Sequence, residues 1–406
     1  MKSVNVQLDF SNTEKAYKHK SDAELKHAYR LYKLLNNQTL SGPGQALLKF
    51  SVKLNLPING IIKATLYKHF IGGESLDECI PTMKKLAQFG VGTIPDYAVE
   101  GKGKFEGYEN TLKEFHHNID FAARNKSIPF TVFKTTAIAS PEFLETLSNQ
   151  VANGSFEDVP EYKNLENTID GLFKHAAEDN VPMMIDAEES WLQPIIDHLA
   201  MLMAARYNTT NSVIVVNTYQ MYRKDRLKVL QSHHQAAEKG GFKIGAKLVR
   251  GAYMEKEAKV AAEKGWENPI FPTKAQTDKS FNDALRYCLS NMKGISCVVA
   301  THNELSTFLA ADYLMQKDIP TNHESIYFSQ LYGMCDHITH NLADKGFNVT
   351  KYMPYGPVKF AIPYLVRRAE ENASVAGQAA KEISLIGKEL SRRSQGSSLK
   401  DKYKAG

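Results

Sequence analysis

A segment near the carboxyl terminus, KYMPYGPVKFAIPYLVRRAEEN at 351–372, carries side chains suited to binding a small anion. If the segment is helical, the positions i, i+3, i+4 and i+7 of one face are Tyr364, Arg367, Arg368 and Glu371. Two adjacent guanidiniums form a fork that can hold a carboxylate in a fixed orientation. The spacing predicts a carboxylate-binding helix, and a solvated arginine pair is the alternative that the rest of the chain must exclude.

Prolines and a glycine precede the arginine pair. Pro354, Gly356 and Pro357 predict a sharp turn after a strand that ends near Tyr352. The same pattern predicts that the helix begins at about 360–363.

Short β-rich runs alternate with helical patterns from about residue 75, which is typical of βα units. The runs are VGTIP at 91, FTVFK at 130, PMMID at 182, SVIVV at 212, GAKLV at 245, SCVVA at 296, SIYFS at 325 and VTKYM at 349. Eight such strands close a (β/α)8 barrel. A doubly wound sheet is the competing architecture, but its Gly-rich phosphate turn is missing, because GKGKFEG at 101 lacks the G-x-G-x-x-G spacing.

Most of these runs finish with polar side chains. The polar residues at or near the run ends are Asp96, Lys134, Asp186, Asn217, Arg250, Thr301, His302, Gln330 and Tyr352. In a (β/α)8 barrel the active site is built at the carboxyl ends of the strands. The placement therefore favours an enzyme with its site at that end.

We predict three regions along the chain. Residues 1–74 read as an N-terminal helical arm, because Ser21 and Glu24 match a capping box ahead of an apolar helical stripe. Residues 75–390 are assigned to the barrel. Residues 391–406, rich in Ser, Lys and Gly, are expected to be a disordered basic tail.

Composition narrows the class of protein. The formal charge of +5 is mostly contributed by residues 388–404, where six Lys or Arg stand against two acids. A nearly neutral body argues against nucleic-acid binding. The four cysteines are widely separated and the paired histidines lack metal spacing, so we expect a reducing compartment and no metal site. We see no targeting signal and no membrane span, which predicts a cytoplasmic protein.

Six motifs in order carry a resemblance to a known family. They are IDAEES at 185, NTYQ at 217, KLVRGAY at 247, ATHN at 300, QLYGM at 330 and YxPYGxxxxxxPYLxRRxxEN at 352. Together the motifs resemble proline dehydrogenase over residues 91–372. DYAVEG, NTYQMY and AEESWLQP look closer to the monofunctional, eukaryote-type branch than to the fused bacterial enzyme. The resemblance implies an α/β fold, a distorted TIM-like (β/α)8 barrel with an N-terminal helical arm.

The resemblance also implies roles for individual substrate-site residues. Arg367 and Arg368 match the pair that binds the proline carboxylate, and Tyr352 and Tyr364 match the aromatics around the pyrrolidine ring. Leu331 matches an apolar contact of the substrate, and Lys134 and Asp186 match a polar pair. Glu100 and Ala252 match residues that gate the site. Lys134, Asp186, Arg367 and Arg368 are accordingly the candidate catalytic residues.

The cofactor that the resemblance implies is FAD. The matched positions are Lys247, Val249, Gly251, Ala252, Tyr253, Thr273, Lys274, His302, Asn303 and Glu371, with Asn217 and Gln220 on the fourth strand. Lys247 departs from the fused enzymes, which carry Arg there, and a lysine cannot make their bidentate contact. Met254 stands where those enzymes carry Trp.

The implied reaction is the oxidation of L-proline to Δ1-pyrroline-5-carboxylate, the first step of proline degradation, with electrons passed to a membrane quinone. That acceptor implies peripheral contact with the respiratory membrane. Two other functions remain open. A hydroxyproline dehydrogenase would share the fold and arginines, although the Tyr352 ring would crowd a 4-hydroxyl. A Schiff-base lyase would use Lys134 or Lys247 as nucleophile and bind no flavin.

Overall fold

The computed structural model describes residues 8–36, 63–98, 105–151, 159–374 and 378–404. The chain forms two compact units. The terminal unit comprises Met1–Val91 and Gln330–Gly406, and the central unit comprises Gly92–Ser329. This division is not the one predicted between arm, barrel and tail, whose boundaries were placed at 74 and 390. Those boundaries stay predictions.

Eight strands form one sheet with the order β1-β8-β7-β6-β5-β4-β3-β2. The strands are β1 (Val91–Tyr97), β2 (Thr131–Phe133), β3 (Met183–Ile185), β4 (Val215–Gln220), β5 (Ile244–Val249), β6 (Ile295–Ala300), β7 (Ile326–Leu331) and β8 (Val349–Tyr355). The pairs from β2 to β7 are parallel. All eight predicted runs are confirmed as strands, and the fold is a distorted, nearly closed (β/α)8 barrel.

The strands alternate with helices along the chain. The α-helices are α1 (Thr13–Tyr17), α2 (Asp22–Leu35), α3 (Lys68–Phe70), α4 (Leu76–Ala87), α5 (Phe105–Ala123), α6 (Pro141–Val151), α7 (Pro160–Glu178), α8 (Gln193–Tyr207), α9 (Arg226–Gly240), α10 (Met254–Lys264), α11 (Lys274–Ser290), α12 (Glu304–Gln316), α13 (Asp336–Ala343), α14 (Val358–Ser374) and α15 (Gln378–Lys404). A π-helical turn at Lys63–Tyr67 precedes α3, and a 3₁₀ turn at Thr135–Ala137 follows β2. Every residue of β2, β3, β4 and β8 is buried, as expected for strands covered on both faces.

The helix that carries the arginine pair begins earlier than its prolines indicated. We predicted a start at 360–363, whereas α14 runs from Val358 and contains Pro363. The Pro357 carbonyl already accepts hydrogen bonds from the backbone N–H groups of Phe360 and Ala361. Pro363 is the sixth residue of α14, and its missing N–H removes one intrahelical hydrogen bond without ending the helix.

The turn between β8 and α14 is fixed within the terminal unit. The Gly72 N–H donates to the Pro354 carbonyl at 2.8 Å, and the Gly356 N–H donates to the Gly73 carbonyl at 2.9 Å. The Tyr67 hydroxyl donates to the Gly356 carbonyl at 2.7 Å. These bonds tie the turn to the segment between α3 and α4.

The predicted tail is helical rather than disordered as far as Lys404, because α15 continues through most of it. Glu389 is fully buried and accepts from the guanidiniums of Arg392 and Arg393 one turn later. Arg393 also donates to the carbonyls of Tyr17 and Lys20. Composition could not predict the Arg393 contacts, because they depend on residues near the N terminus.

A buried ionic group, the Asp336 cluster, joins the N-terminal residues to α13 and β8. Lys20 Nζ lies 2.7 Å from one carboxylate oxygen of Asp336, and Lys351 Nζ lies 2.9 Å from the other. His19 Nε2 lies 3.5 Å from Asp336, and its ring stacks on His340 with centroids 3.8 Å apart. Both histidines are buried, and neither ring nitrogen of His340 has a hydrogen-bond partner within the described ranges.

Mild acid should lower the free energy of unfolding of the protein through the histidines of the Asp336 cluster. Burial and the neighbouring His19 lower the pKa of His340 to about 2, and burial lowers the pKa of His19. A histidine with a lowered folded-state pKa contributes stability that is present above its unfolded pKa of about 6.5 and is lost as pH falls below it. We expect protonation of His340 to remove about 1 kcal/mol of unfolding free energy per pH unit in that range, measured by urea denaturation.

His340→Phe keeps an aromatic ring against His19 and removes the titrating group, so it should flatten the pH dependence. The matched control is His117→Phe, since His117 is exposed on α5. An unchanged pH dependence in the His340→Phe variant would contradict the assignment.

Among the described residues, none of the helices combines the length and the apolar character that a bilayer crossing requires.

Candidate active site

One carboxylate holds two lysines in the central unit. Lys134, just after β2, donates to one oxygen of Asp186, just after β3. Lys247, on β5, donates to the other oxygen at 2.6 Å. All three side chains are at most 18% exposed. The group carries two positive charges against one negative charge, so its net charge favours an anion or an electron-rich group nearby.

Attraction between Asp186 and the two lysines stabilises the charged forms of Asp186 and Lys134. Burial acts to raise the pKa of Asp186, but Lys134 and Lys247 overcome it and hold that pKa well below the usual range. Burial likewise opposes the charge on Lys134, whereas Asp186 raises the pKa of Lys134 well above its ordinary value. Both partners are therefore ionised at neutral pH, and Lys134 is a poor nucleophile because its amine stays protonated.

Glu188 is a neighbouring carboxyl that the sequence did not single out. Burial, only partly offset by the Lys134 charge, raises the pKa of Glu188 to about 7. The hydroxyls of Thr136 and Tyr253 donate to its two oxygens at 2.7 and 3.3 Å. The motif IDAEES carried a signal, since acidic residues directly after a barrel strand are candidates for the site. A carboxyl of this pKa can change protonation near neutral pH.

The loop after β3 is fixed from several sides. The Ser190 N–H and hydroxyl donate to the buried carboxylate of Glu257 on α10, at 2.7 and 2.6 Å. The Gln220 amide donates to the Glu188 carbonyl at 2.6 Å. These bonds hold Asp186 and Glu188 in place without using their carboxyl groups.

Asn217 and Gln220, the two cofactor positions predicted on β4, have different partners. The Gln220 amide donates to the Glu188 carbonyl, as described above. The strand extends to Gln220, four residues beyond the SVIVV run, so Asn217 lies inside it rather than at its end. The Asn217 amide donates to Asp197 at 2.9 Å, and Asp197 forms a buried pair with Arg226 at 2.6 Å. Asn217 thus has a structural partner, and its predicted cofactor role stays a prediction.

Arg250, at the end of β5, connects three elements. Its guanidinium donates to Asp278 on α11, to Thr301 after β6 and to Ser306 on α12, at 2.7, 2.6 and 3.0 Å. The guanidinium also lies 4.4 Å from the Phe281 ring centroid. Because these partners use all three nitrogens, Arg250 positions the loops that follow β5 and β6.

The remaining predicted FAD positions of the central unit lie mostly along an exposed edge after β5 and β6. Gly251, Ala252, Thr273 and Lys274 are exposed there; Val249, Tyr253, His302 and Asn303 are half-buried. Gly251 has φ +140°, and a Cβ at this position would clash with the Tyr222 ring. Glycine is therefore required for the backbone to pass this point.

Two of these residues cap helices. The Thr273 hydroxyl accepts from the Gln276 N–H at the start of α11, and Asn303 accepts from the Ser306 N–H at the start of α12. Helix amino termini attract phosphate groups through free N–H groups and the macrodipole. The small residues, the two helix starts and the nearby lysines fit a dinucleotide with a pyrophosphate and a flat ring system.

On the arginine helix of the terminal unit, three of the four residues predicted to share a face are in contact with one another. Arg368 pairs with Glu371, and its guanidinium lies 5.2 Å from the centroid of the Tyr364 ring. The Arg368 side chain is 11% exposed. Its buried Nε has no hydrogen-bond partner among the described residues. A buried N–H without a partner is costly, so a bound acceptor would stabilise this guanidinium.

The other predicted substrate positions are distributed as follows. Tyr352 and Tyr364 are buried on β8 and α14, and Leu331 and Arg367 are half-buried on β7 and α14. Glu100, the predicted gate residue, lies outside the described residues. Its role and that of Ala252 stay predictions.

A cavity of about 640 Å³ lies at the opposite ends of the central strands. Phe130, Pro182, Lys243 and Tyr327, which line it, belong to the amino-terminal ends of β2, β3, β5 and β7. Active sites of barrel enzymes lie at the carboxyl ends. We therefore place the candidate site with Lys134 and Asp186 rather than in this cavity.

Known proteins resemble the chain over most of its length. The proline dehydrogenase family model matches residues 79–381. The mitochondrial proline dehydrogenase 1 of Dictyostelium discoideum is 34% identical over 434 aligned positions, covering 96% of this chain and 76% of the relative. The hydroxyproline dehydrogenase of Xenopus laevis is 30% identical, covering 93% of this chain and 88% of the relative.

A solved structure supports the fold. Proline utilization A from Bdellovibrio bacteriovorus, inactivated by N-propargylglycine, superposes with a TM-score of 0.68 at 21% identity. The match covers 92% of this chain and 40% of that one, so this chain spans less than half the length of the solved protein. From the family match and the identity to its relatives, we conclude that the chain belongs to the proline dehydrogenase family of oxidoreductases.

Proposed function

We propose that this protein is an FAD-dependent enzyme that oxidises L-proline to Δ1-pyrroline-5-carboxylate. The observation that carries the proposal is the Arg368 guanidinium, which is nearly buried and has an Nε without a hydrogen-bond partner in the described parts of the chain. A substrate carboxylate would supply the missing acceptor. Membership of the proline dehydrogenase family makes proline the favoured substrate.

Substrate binding is assigned to α14 and β8. Arg367 and Arg368 would hold the proline carboxylate as a charge-assisted fork, which sets the orientation of the ring. The aromatic rings of Tyr352 and Tyr364 would contact the apolar pyrrolidine carbons, and Leu331 would add an aliphatic contact. Exclusion of water by these side chains would strengthen the charge pairing.

The chemical step removes two electrons and two protons from the substrate in total. Hydrogen leaves as a hydride equivalent from the ring carbon that is next to nitrogen and does not bear the carboxylate. The nitrogen lone pair then forms the C=N bond, and the nitrogen loses its proton. A bound flavin supplies the acceptor for the hydride equivalent. Substrate bound as the free amine needs no strong protein base. The net positive charge of the Lys134, Asp186 and Lys247 group favours the negative charge that develops on reduction.

We assign cofactor binding to the edge after β5 and β6. Lys247 would lie against the ring system, and the helix starts at Thr273 and Asn303, together with Lys274, would hold the pyrophosphate. The cofactor role that the family resemblance implies for Glu371 stays a prediction. Acid-released cofactor, identified by chromatography, should be FAD at one per chain.

The acceptor in the proposal is a quinone. The family resemblance supports this choice, and it requires peripheral contact with a membrane. Proline-dependent reduction of a soluble ubiquinone analogue, with no reduction of NAD⁺, is the expected result. Reduction of NAD⁺ instead would contradict the proposal.

Hydroxyproline is the second candidate substrate, favoured by the similarity to the Xenopus hydroxyproline dehydrogenase. Tyr352 is buried on β8, and its ring would crowd a 4-hydroxyl group. We therefore expect kcat/KM for L-proline to exceed that for 4-hydroxyproline. The reverse order would reassign the substrate within the same fold.

A single spectrum tests the redox proposal against a Schiff-base lyase. The purified protein should be yellow, with flavin absorption bands. A colourless protein that borohydride traps covalently on its substrate would favour the lyase.

A further inference from the structure

Two neighbouring helices of the central unit each carry a histidine and an aspartate spaced by four residues. His116 and Asp120 lie one turn apart on α5, and His175 lies one turn before Asp179 at the end of α7. Residues at i and i+4 share one helix face. The sequence alone gave no such signal, because the two pairs are more than 50 residues apart and meet only when α5 packs on α7.

The four side chains form a connected group around His175. Nε2 of His175 lies 3.1 Å from Asp120 and 3.5 Å from Asp179. Nδ1 of the same ring lies 2.8 Å from Nδ1 of His116. One imidazole nitrogen thus faces two carboxylates while the other nitrogen is hydrogen-bonded to a second imidazole.

The charges of the group are not balanced. Two carboxylates face one imidazole, and in the described parts of the chain no lysine or arginine pairs with Asp120 or Asp179. Asp179 is also the C-cap of α7, where the helix macrodipole is negative. Both features attract a cation. A single proton on His175 Nε2 can be donated well to only one of the two carboxylates.

We propose that His175 Nε2 and the carboxylates of Asp120 and Asp179 bind a divalent first-row transition metal ion, for which Zn²⁺ is the probe. The ligand atoms lie within 4.8 Å of one another, which is compatible with one shared ion. Imidazole favours zinc over magnesium and calcium, and three protein ligands leave further positions to water. A metal-bound histidine donates its other N–H to a partner, and the His116 nitrogen supplies that acceptor.

The other histidine and aspartate group of the described chain has different surroundings. In the Asp336 cluster both carboxylate oxygens already accept from Lys20 and Lys351. A second cation there would be repelled, so the proposal concerns the His175 group alone.

Titration calorimetry of the full chain, tag-free and dialysed against EDTA, tests the site. We expect one Zn²⁺ per chain and no response to Mg²⁺ at the same concentration. His175→Gln or Asp179→Asn should weaken binding by more than about 100-fold, because loss of an outer hydrogen-bond partner alone costs about 10–100-fold. His116→Phe should give that smaller loss.

His117→Gln is the matched control, since His117 is the adjacent exposed histidine on α5 and should bind zinc as the parent does. The ligand side chains are 25–47% exposed, and circular dichroism checks that each variant folds. Zinc should also raise the melting temperature of the parent and leave that of His175→Gln unchanged. The proposal would be overturned if the parent bound no zinc or bound Mg²⁺ as tightly as Zn²⁺. It would also be overturned if His175→Gln and Asp179→Asn bound zinc as tightly as the parent does.

Discussion

Replacing Arg368 with methionine should raise the KM for L-proline by about 10- to 100-fold, because charge-assisted hydrogen bonds to a carboxylate contribute about 1.5–3 kcal/mol. Methionine keeps most of the side-chain length and removes the charge. The bound flavin should remain, so the variant should stay yellow. Steady-state kinetics with L-proline as the varied substrate measures the effect.

Two further variants separate charge from geometry at this position. Arg368→Lys retains a positive charge but loses the planar fork, so its KM should lie between those of the parent and of Arg368→Met. Arg286→Met is the matched control, because Arg286 is 62% exposed on α11 and pairs with Asp283. An Arg368→Met variant with the parent KM would remove Arg368 from the substrate site.

Replacing Asp186 with asparagine should lower the free energy of unfolding by about 3 kcal/mol or more. The substitution leaves Lys134 and Lys247 buried without the carboxylate that both of them contact. Removing one partner of a buried ion pair leaves an uncompensated charge, and here two charges lose the same partner. Urea denaturation at neutral pH measures the change.

A double variant tests the electrostatic origin of this loss. Adding Lys247→Met to Asp186→Asn removes one of the two unpaired charges and should restore part of the stability. Glu267→Gln is the matched control, because Glu267 is exposed in its ion pair with Lys224 and its loss should leave stability unchanged. Equal stability of Asp186→Asn and the parent would show that the carboxylate does not balance these lysines.

The barrel could be predicted because each strand carries a local signal. Runs such as SCVVA and SIYFS are short, apolar and followed by helical patterns, and eight of them are typical of a (β/α)8 barrel. Boundaries were less accurate where tertiary contacts decide them. Asn217 was predicted at a strand end, but β4 continues to Gln220.

The candidate site could be predicted only in part. Lys134 and Asp186 were matched as a pair, and the structure confirms their contact. Lys247 was predicted to contact the flavin or to act as a nucleophile, but its contact with the same carboxylate was not predicted. That contact joins β5 to the loop after β3, so it depends on the folded sheet. The raised pKa of Glu188 depends on burial, which a linear sequence does not show either.

Local motifs also differed in how well they predicted structure. The capping box at Ser21 and Glu24 is confirmed, because both of its hydrogen bonds form within four residues. The helical course of 391–404 was missed, because its anchor Arg393 depends on residues near position 20. Short-range patterns were therefore the more reliable guide.

Anaerobic titration of the purified protein with L-proline tests the proposed function most directly. The flavin absorption bands should bleach as proline is added, and Arg368→Met should need a higher proline concentration for the same bleaching. A flavin that stays oxidised at saturating L-proline, or a protein that contains no flavin, would contradict it.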